Sequence, residues 1–308
     1  MKYHSIRSTI AVLLLAAAAL AQQTQKRQLT LPNASDSLRF AIIGDSGTGS
    51  RAQHELGRVL IDYRNRFPFE FVLMLGDNLY GSERPSDYER KFERPYKPLL
   101  DAGVKFYASL GNHDEPNQRF YKHFNMNGER YYTFKPRNGV RFFALDSNYM
   151  DPEQIQWLER ELGSSGSDWK IAFFHHPLYA SGKHGSHVAL RKVIEPLFLK
   201  HAVDVVFAGH EHFYERIKPQ HGIHHFVSGA AAKLRRNDLR RTGLTAAGFD
   251  TDLSFMLIEI EGDRMHYQAI SRTGATVDSG AITRRPNDVS GTQEDARAVR
   301  ADKAPNQR

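Results

Sequence analysis

The chain has 308 residues, 40% of them hydrophobic, and a formal net charge of +7, enough for a full hydrophobic core and a mild preference for anionic ligands. It contains no cysteine, which excludes disulfides, thiolate metal sites and a cysteine nucleophile. Any metal must therefore be held by His, Asp, Asn or Tyr.

Residues 1–21 read as a secretory signal peptide. Lys2 and Arg7 precede an apolar run at 10–20, and Ala19-Leu20-Ala21 is a small-x-small cleavage site. The run is shorter than the about 18 to 20 residues a membrane span requires, so export to the periplasm or medium is expected, with no stable membrane anchor. Residues 22–37 read as a linker, 38–283 as one folded domain, and 284–308 as a polar, disordered tail without apolar period.

Within the domain, short runs rich in Val, Ile and Phe end in Gly, Asp, Asn or His. They are RFAIIGD (39–45), FVLMLGD (71–77), VKFYASLGNHD (104–114), VRFFALD (140–146), WKIAFFHH (169–176), VDVVFAGHEH (203–212) and IHHFVSGA (223–230). Runs of this length bounded by turn signals are buried strands. Helical periods fall at 52–66, 86–102, 152–162 and 188–201, and a late antiparallel hairpin is expected from 254–260 and 264–271 over Glu261-Gly262-Asp263. The alternation predicts an α/β fold with two mixed sheets sandwiched between helices, an αββα arrangement.

Ligands in open α/β sheets bind outside the carboxyl ends of strands. Five runs end there in Asp45, Asp77, Asn112-His113-Asp114, His175-His176 and His210-Glu211-His212. One such ending is an ordinary turn or helix cap; five together point to a metal centre. Their number exceeds the needs of one four- to six-coordinate ion, so two ions bridged by a carboxylate are expected, of the kind that lie about 3.5 to 4 Å apart in phosphate-ester hydrolases.

The series GDSG (44–47), GDNLY (76–80), GNHD (111–114), FFHHP (173–177) and GHEH (209–212) resembles the calcineurin-like metallophosphoesterases, and within them the small, tartrate-resistant type of purple acid phosphatase. Generic members carry Asp-x-His at the first motif; here Asp45-Ser46-Gly47 lacks that histidine. The purple branch fills the vacancy with the tyrosine of GDxxY, here Tyr80. The resemblance implies Fe(III) on Asp45, Asp77, Tyr80 and His212, and a second divalent ion (Fe, Zn or Mn) on Asp77, Asn112, His175 and His210. His175 is preferred to His176 through the family's His-x-Pro.

The resemblance further implies hydrolysis of small phosphate monoesters by hydroxide generated at the ion pair. His113 would be the main proton donor or phosphate contact beside Asn112, and His184 would assist. Asp114 would support His113 or another ligand. The segment between Asp146 and Pro152 is short, so activity without proteolytic activation is expected.

Three other readings compete. Gly44-Asp45-Ser46-Gly47 matches the serine motif of trypsin-like proteases, but that fold would be all-β with His and Asp upstream of the serine, whereas Ser46 lies near the mature N-terminus. A two-metal phosphodiesterase shares the chemistry, and a metal- or phosphate-binding protein without turnover would need the ligands but not His113. The basic run 233–241 reads first as a solvated loop and second as a contact for another anionic group of the substrate. No aromatic residues interleave it, so nucleic acid is not expected. These motifs do not encode the oligomeric state.

Overall fold

The computed structural model describes residues 28–285. The expected leader and residues 286–308 of the expected tail lie outside the described residues.

Two mixed sheets form. The first has the order β13-β12-β11-β1-β2-β3, built from β1 (Leu38–Ile43), β2 (Phe71–Leu75), β3 (Lys105–Ser109), β11 (Ser254–Glu261), β12 (Arg264–Ser271) and β13 (Thr276–Thr283). The second has the order β10-β8-β9-β7-β6-β5-β4, built from β4 (Tyr132–Arg137), β5 (Val140–Ala144), β6 (Trp169–Phe174), β7 (Val205–Ala208), β8 (Tyr214–Ile217), β9 (His224–Ser228) and β10 (Thr245–Phe249). β1, β2 and β3 run parallel, as do β5, β6, β7 and β9, so the carboxyl ends within each group share one edge of their sheet.

The period of two along each strand makes the layers. Phe40 and Ile42 of β1, Leu73 of β2, Phe142 of β5, Ile171 of β6 and Phe207 of β7 meet in a core between the sheets. Phe40 stacks on Phe71 at 5.1 Å and meets the edge of Phe142 in the opposite sheet at 5.2 Å. The alternate residues Ala41 and Ile43 face outward to α1 (Arg51–Arg64), through Leu56, Leu60 and Tyr63. On the far side Phe143, Ala172, Phe174 and Val206 pack on α4 (Pro152–Gly163) and α5 (Val188–Lys200), through Leu158, Leu162, Ile194 and Phe198. The result is the four-layer αββα sandwich.

The expected helices form within two residues of their predicted ends. The stretch predicted at 86–102 is divided: α2 (Pro85–Tyr88) passes through a π turn (Glu89–Glu93) into α3 (Arg94–Asp101). β4, β10 and β13, which the sequence reading did not identify, are sheet edges with half-exposed residues, so they lack a buried apolar run. β8 has only four residues and was also missed.

Residues 28–37 differ from a free linker. The Asn33 and Ala34 amides and the Ser37 hydroxyl donate to the buried carboxylate of Glu259, at 2.7, 2.6 and 2.6 Å, and the Thr30 amide donates to Gln268 at 3.0 Å. Burying Glu259 on β11 requires such donors, and this segment supplies them. Among the described residues no helix is long and apolar enough to cross a membrane.

Candidate metal centre

The carboxyl ends of β1, β2 and β3 deliver Asp45, Asp77 and Asn112, and those of β6 and β7 deliver His175, His210 and His212 from the facing sheet. Each chain turns sharply to do so: Asp45, Asp77 and His210 have φ of 55°, 51° and 69°, a left-handed conformation that disfavours side chains with a Cβ. Close approach explains the neighbouring glycines. A Cβ on Gly111 would lie 2.3 Å from Asp77 Oδ1, and one on Gly209 2.7 Å from Asp45 Oδ2. The two sheets are tied here, since the His210 amide donates to Asp45 Oδ2 at 2.9 Å.

Two clusters result. In the first, Tyr80 Oη donates to Asp45 Oδ1 at 3.0 Å, and His212 Nε2 lies 3.3 Å from Asp45 Oδ1 and 3.4 Å from Tyr80 Oη. In the second, Asn112 Oδ1 lies 3.0 Å from both His175 Nε2 and His210 Nδ1, which are 3.1 Å apart. Asp77 joins them: its Oδ1 is 3.4 Å from His175 Nε2, and Asp45, Asp77 and His212 converge as one ligand-like group.

The donor chemistry fits cations. His175 Nδ1 donates to the Leu75 carbonyl at 2.9 Å, leaving Nε2 as a lone pair when the ring is neutral. Burial pushes His175 down, and burial with the neighbouring imidazoles brings His210 to about 2, so both rings are neutral. Three acceptor atoms, His175 Nε2, His210 Nδ1 and Asn112 Oδ1, thus face one another with at most one proton among them. In the first cluster burial, followed by the charge of Asp77, pushes Asp45 well above the usual carboxylate range. Burial, then Asp45 and Asp77, likewise pushes the Tyr80 phenol up. Despite its burial Asp77 is drawn below the usual range by His175 and the His113 amide, so the shortage of positive charge falls on Asp45 and Tyr80.

The structure separates the two adjacent histidines. His175 is fully buried and aimed at Asn112, His210 and Asp77. His176 lies beside them with its ring 4.6 Å from that of His210, but its Nδ1 bonds Ser147 Oγ at 2.9 Å. Of the two proton-donor candidates, His113 is exposed, its amide donating to Asp77 Oδ1 at 3.0 Å and its ring 5.0 Å from that of Tyr80. His184 is also exposed, with its ring 4.4 Å from that of His210.

Two carboxylates support the loops of the centre, one of them expected from the sequence. Of the expected supports, His113 or another ligand, Asp114 serves the loops: it accepts from the amides of Gly111, Asn78 and Leu79 at 2.8, 3.1 and 3.0 Å, locking the loop of Asn112 and His113 to the loop of Tyr80. Burial and the charge of Asp77 raise it to about 7. Glu211 was not singled out. Buried between the rings of His210 and His212 in sequence, it accepts from the Gly185 amide at 2.6 Å and so holds the loop of His184. Its only sequence signal is a charged residue inside GHEH.

A calcineurin-like phosphoesterase profile matches residues 38–214, more than half of the chain and all of these ligand-like groups. The chain belongs to the calcineurin-like phosphoesterase family. It is accordingly a hydrolase of phosphate esters that works with a dinuclear metal centre. Among curated proteins it is similar to tartrate-resistant acid phosphatase type 5 of Oryctolagus cuniculus, 26% identical over 64% of this chain and 74% of the relative. The Rattus norvegicus protein of that name is 22% identical over 81% and 91%, and purple acid phosphatase 17 of Arabidopsis thaliana 26% over 66% and 71%. These names agree with the resemblance drawn from the motifs.

Among solved structures, a purple acid phosphatase from yellow lupin seeds shares the fold with a TM-score of 0.69 and 19% identity, over 90% of this chain and 58% of the lupin chain. GAP50, described as the anchor in the inner membrane complex of Plasmodium, has a TM-score of 0.74 and 18% identity, over 82% and 90%.

Proposed function

We propose that the protein is an acid phosphatase acting on small phosphate monoesters, with Fe(III) held by Asp45, Asp77, Tyr80 and His212 and a divalent Fe, Zn or Mn ion held by Asp77, Asn112, His175 and His210. The observation that carries the reading is Tyr80: its hydroxyl joins Asp45 and His212 at 3.0 and 3.4 Å, where generic relatives would place a second histidine. A phenolate is a hard donor suited to a trivalent ion. When bound, such a pair of ions supplies positive charge for phosphate oxygens and lowers the pKa of water.

The chain's own residues do the rest. His113, fixed through its amide to Asp77, stands at the exposed side of the centre as the proton donor to the departing alkoxide or as a phosphate contact. His184 assists from the His210 side. Asp114 and Glu211 hold the two loops that carry these histidines. The short 146–151 segment is braced, with Arg130 bonding Asp146 and Asp151 at 2.9 and 2.7 Å and Gln154 Nε2 donating to the Asp146 and Tyr149 carbonyls at 3.0 and 2.9 Å. This supports activity without prior cleavage. The signal-like leader supports export to the periplasm or medium.

The test is a visible absorption spectrum with metal analysis on purified protein and on Tyr80→Phe, alongside rates on a monoester and a bis-ester. A visible band with iron and a second metal near one each, lost in the variant, together with faster monoester turnover, is the expected result. A colourless, fully metallated enzyme favouring the bis-ester would replace the reading with a two-metal phosphodiesterase. Metal binding without turnover of either would make it a binding protein.

A further inference from the structure

The basic segment 233–241 divides in two. Arg236, Arg240 and Arg241 are exposed, as a solvated loop requires. Residues 231–235 are fastened to the candidate centre: the Ala231 amide donates to the Gly44 carbonyl at 3.0 Å, Ala232 to Asp45 at 3.1 Å and Arg235 to His212 at 3.0 Å. Lys233, half-buried in this stretch, places its ammonium 4.3 Å from the centroid of the Tyr80 ring.

Charge then separates Lys233 from its neighbour. Arg235 is compensated by Glu211 at 3.3 Å and Asp238 at 3.7 Å. Among the described residues no carboxylate forms an ion pair with Lys233, and a ring face is a weaker partner for an ammonium than a carboxylate. Lys233 meets the ring of Tyr80 and, among the described residues, makes no ion pair with Asp45 or Asp77, so its ammonium stands beside the candidate ligands without a carboxylate partner.

We propose that Lys233 is a specificity-determining residue that binds a second anionic group of the substrate, a carboxylate or further phosphate close to the scissile ester. The inference rests on the phosphatase reading above. The site then favours phosphorylated acids and phosphoanhydrides over phosphate esters of neutral alcohols.

The test compares 2-phosphoglycerate with glycerol 2-phosphate, which differ only in a carboxylate against a hydroxymethyl group, on metal-loaded wild type, Lys233→Gln and Lys233→Arg. The wild type is expected to prefer the acid by about tenfold in kcat/KM, mainly through KM, a preference that shrinks with added KCl. In Lys233→Gln the ratio should fall to near one, and Lys233→Arg should retain most of it. An unaltered ratio in Lys233→Gln, whether or not both rates fall, would overturn the proposal and leave Lys233 as packing on Tyr80 or a contact of the transferred phosphate. If the wild type turns over neither ester, the phosphatase reading fails separately. Calorimetric binding of the two compounds to wild type and Lys233→Gln then decides Lys233 by the same ratio.

Discussion

Two carboxylates hidden from solvent behave in opposite ways: Asp45 in the candidate centre and Asp87 on α2, 0% and 2% exposed. Asp87 accepts from Ser82 Oγ at 2.8 Å and from Arg90 at 2.9 Å, with Lys91 Nζ at 3.5 Å, and the Ser82 and Arg90 bonds hold its carboxyl below the usual range. Asp45 receives only an amide and a phenol, and burial with Asp77 drives it the other way. The two shifts are opposite because Asp87 is held down by hydrogen bonds from Ser82 and the Arg90 cation, whereas burial and the charge of Asp77 drive Asp45 up with no cation of the chain, among the described residues, to offset them.

The strongest way to break this comparison is Asp77→Ala, which removes the carboxylate common to both clusters. Turnover should fall by at least ~100-fold, more than an outer partner of a ligand contributes, and metal analysis should find both ions depleted. Retention of two ions would mean that the clusters do not share Asp77.

Lys91→Ala attacks the other side. Lys91 is 3% exposed and also donates to the Tyr80 and Ser82 carbonyls at 2.7 and 2.5 Å, so its loss leaves a buried carboxylate and two carbonyls short of a partner. Chemical denaturation should record a destabilisation of about 3 kcal/mol.

The two carboxylates also predict opposite pH slopes. For Asp87 the folded pKa lies below the unfolded one, so its stabilisation is full above about pH 4 and is lost as pH falls through the folded value; Asp87→Asn should flatten the acid limb of a Tm-against-pH curve. For Asp45 in metal-stripped protein the folded pKa is raised. Stability is then lost as pH rises from about 4 toward the folded value, and Asp45→Asn should stabilise the stripped protein at neutral pH while weakening metal binding. A stripped Asp45→Asn protein less stable than its parent at neutral pH would contradict the charge-deficient description.

The smallest effect belongs to a pair in neither class. Arg137 reaches Asp36 at 3.3 Å, but Asp36 is 98% exposed, and Asp36→Ala should alter stability by less than about 0.5 kcal/mol.

The ligand-like residues were legible because each ends a buried strand, where an apolar run stops at a Gly-Asp, Gly-Asn or His-His signal within a few residues. The supports were less so. Asp114 bonds Asn78 and Leu79 across 36 and 35 positions, and Glu211 bonds Gly185 across 26, distances over which no local period speaks. Lys233 looked like part of a solvated charge run until the backbone bonds of Ala232 and Arg235 set it apart from Arg236 and Arg240.

By itself the sequence determined the α/β class, the strand-end motifs and a metal set free of thiolates, since these follow from local periodicity and from which side chains are present. Only the tertiary structure decided which loops Asp114 and Glu211 brace, that Ser147 holds His176 aside, and that Lys233 lies over Tyr80. Those outcomes depend on which faces two sheets present to each other, and that is set by packing across the whole core.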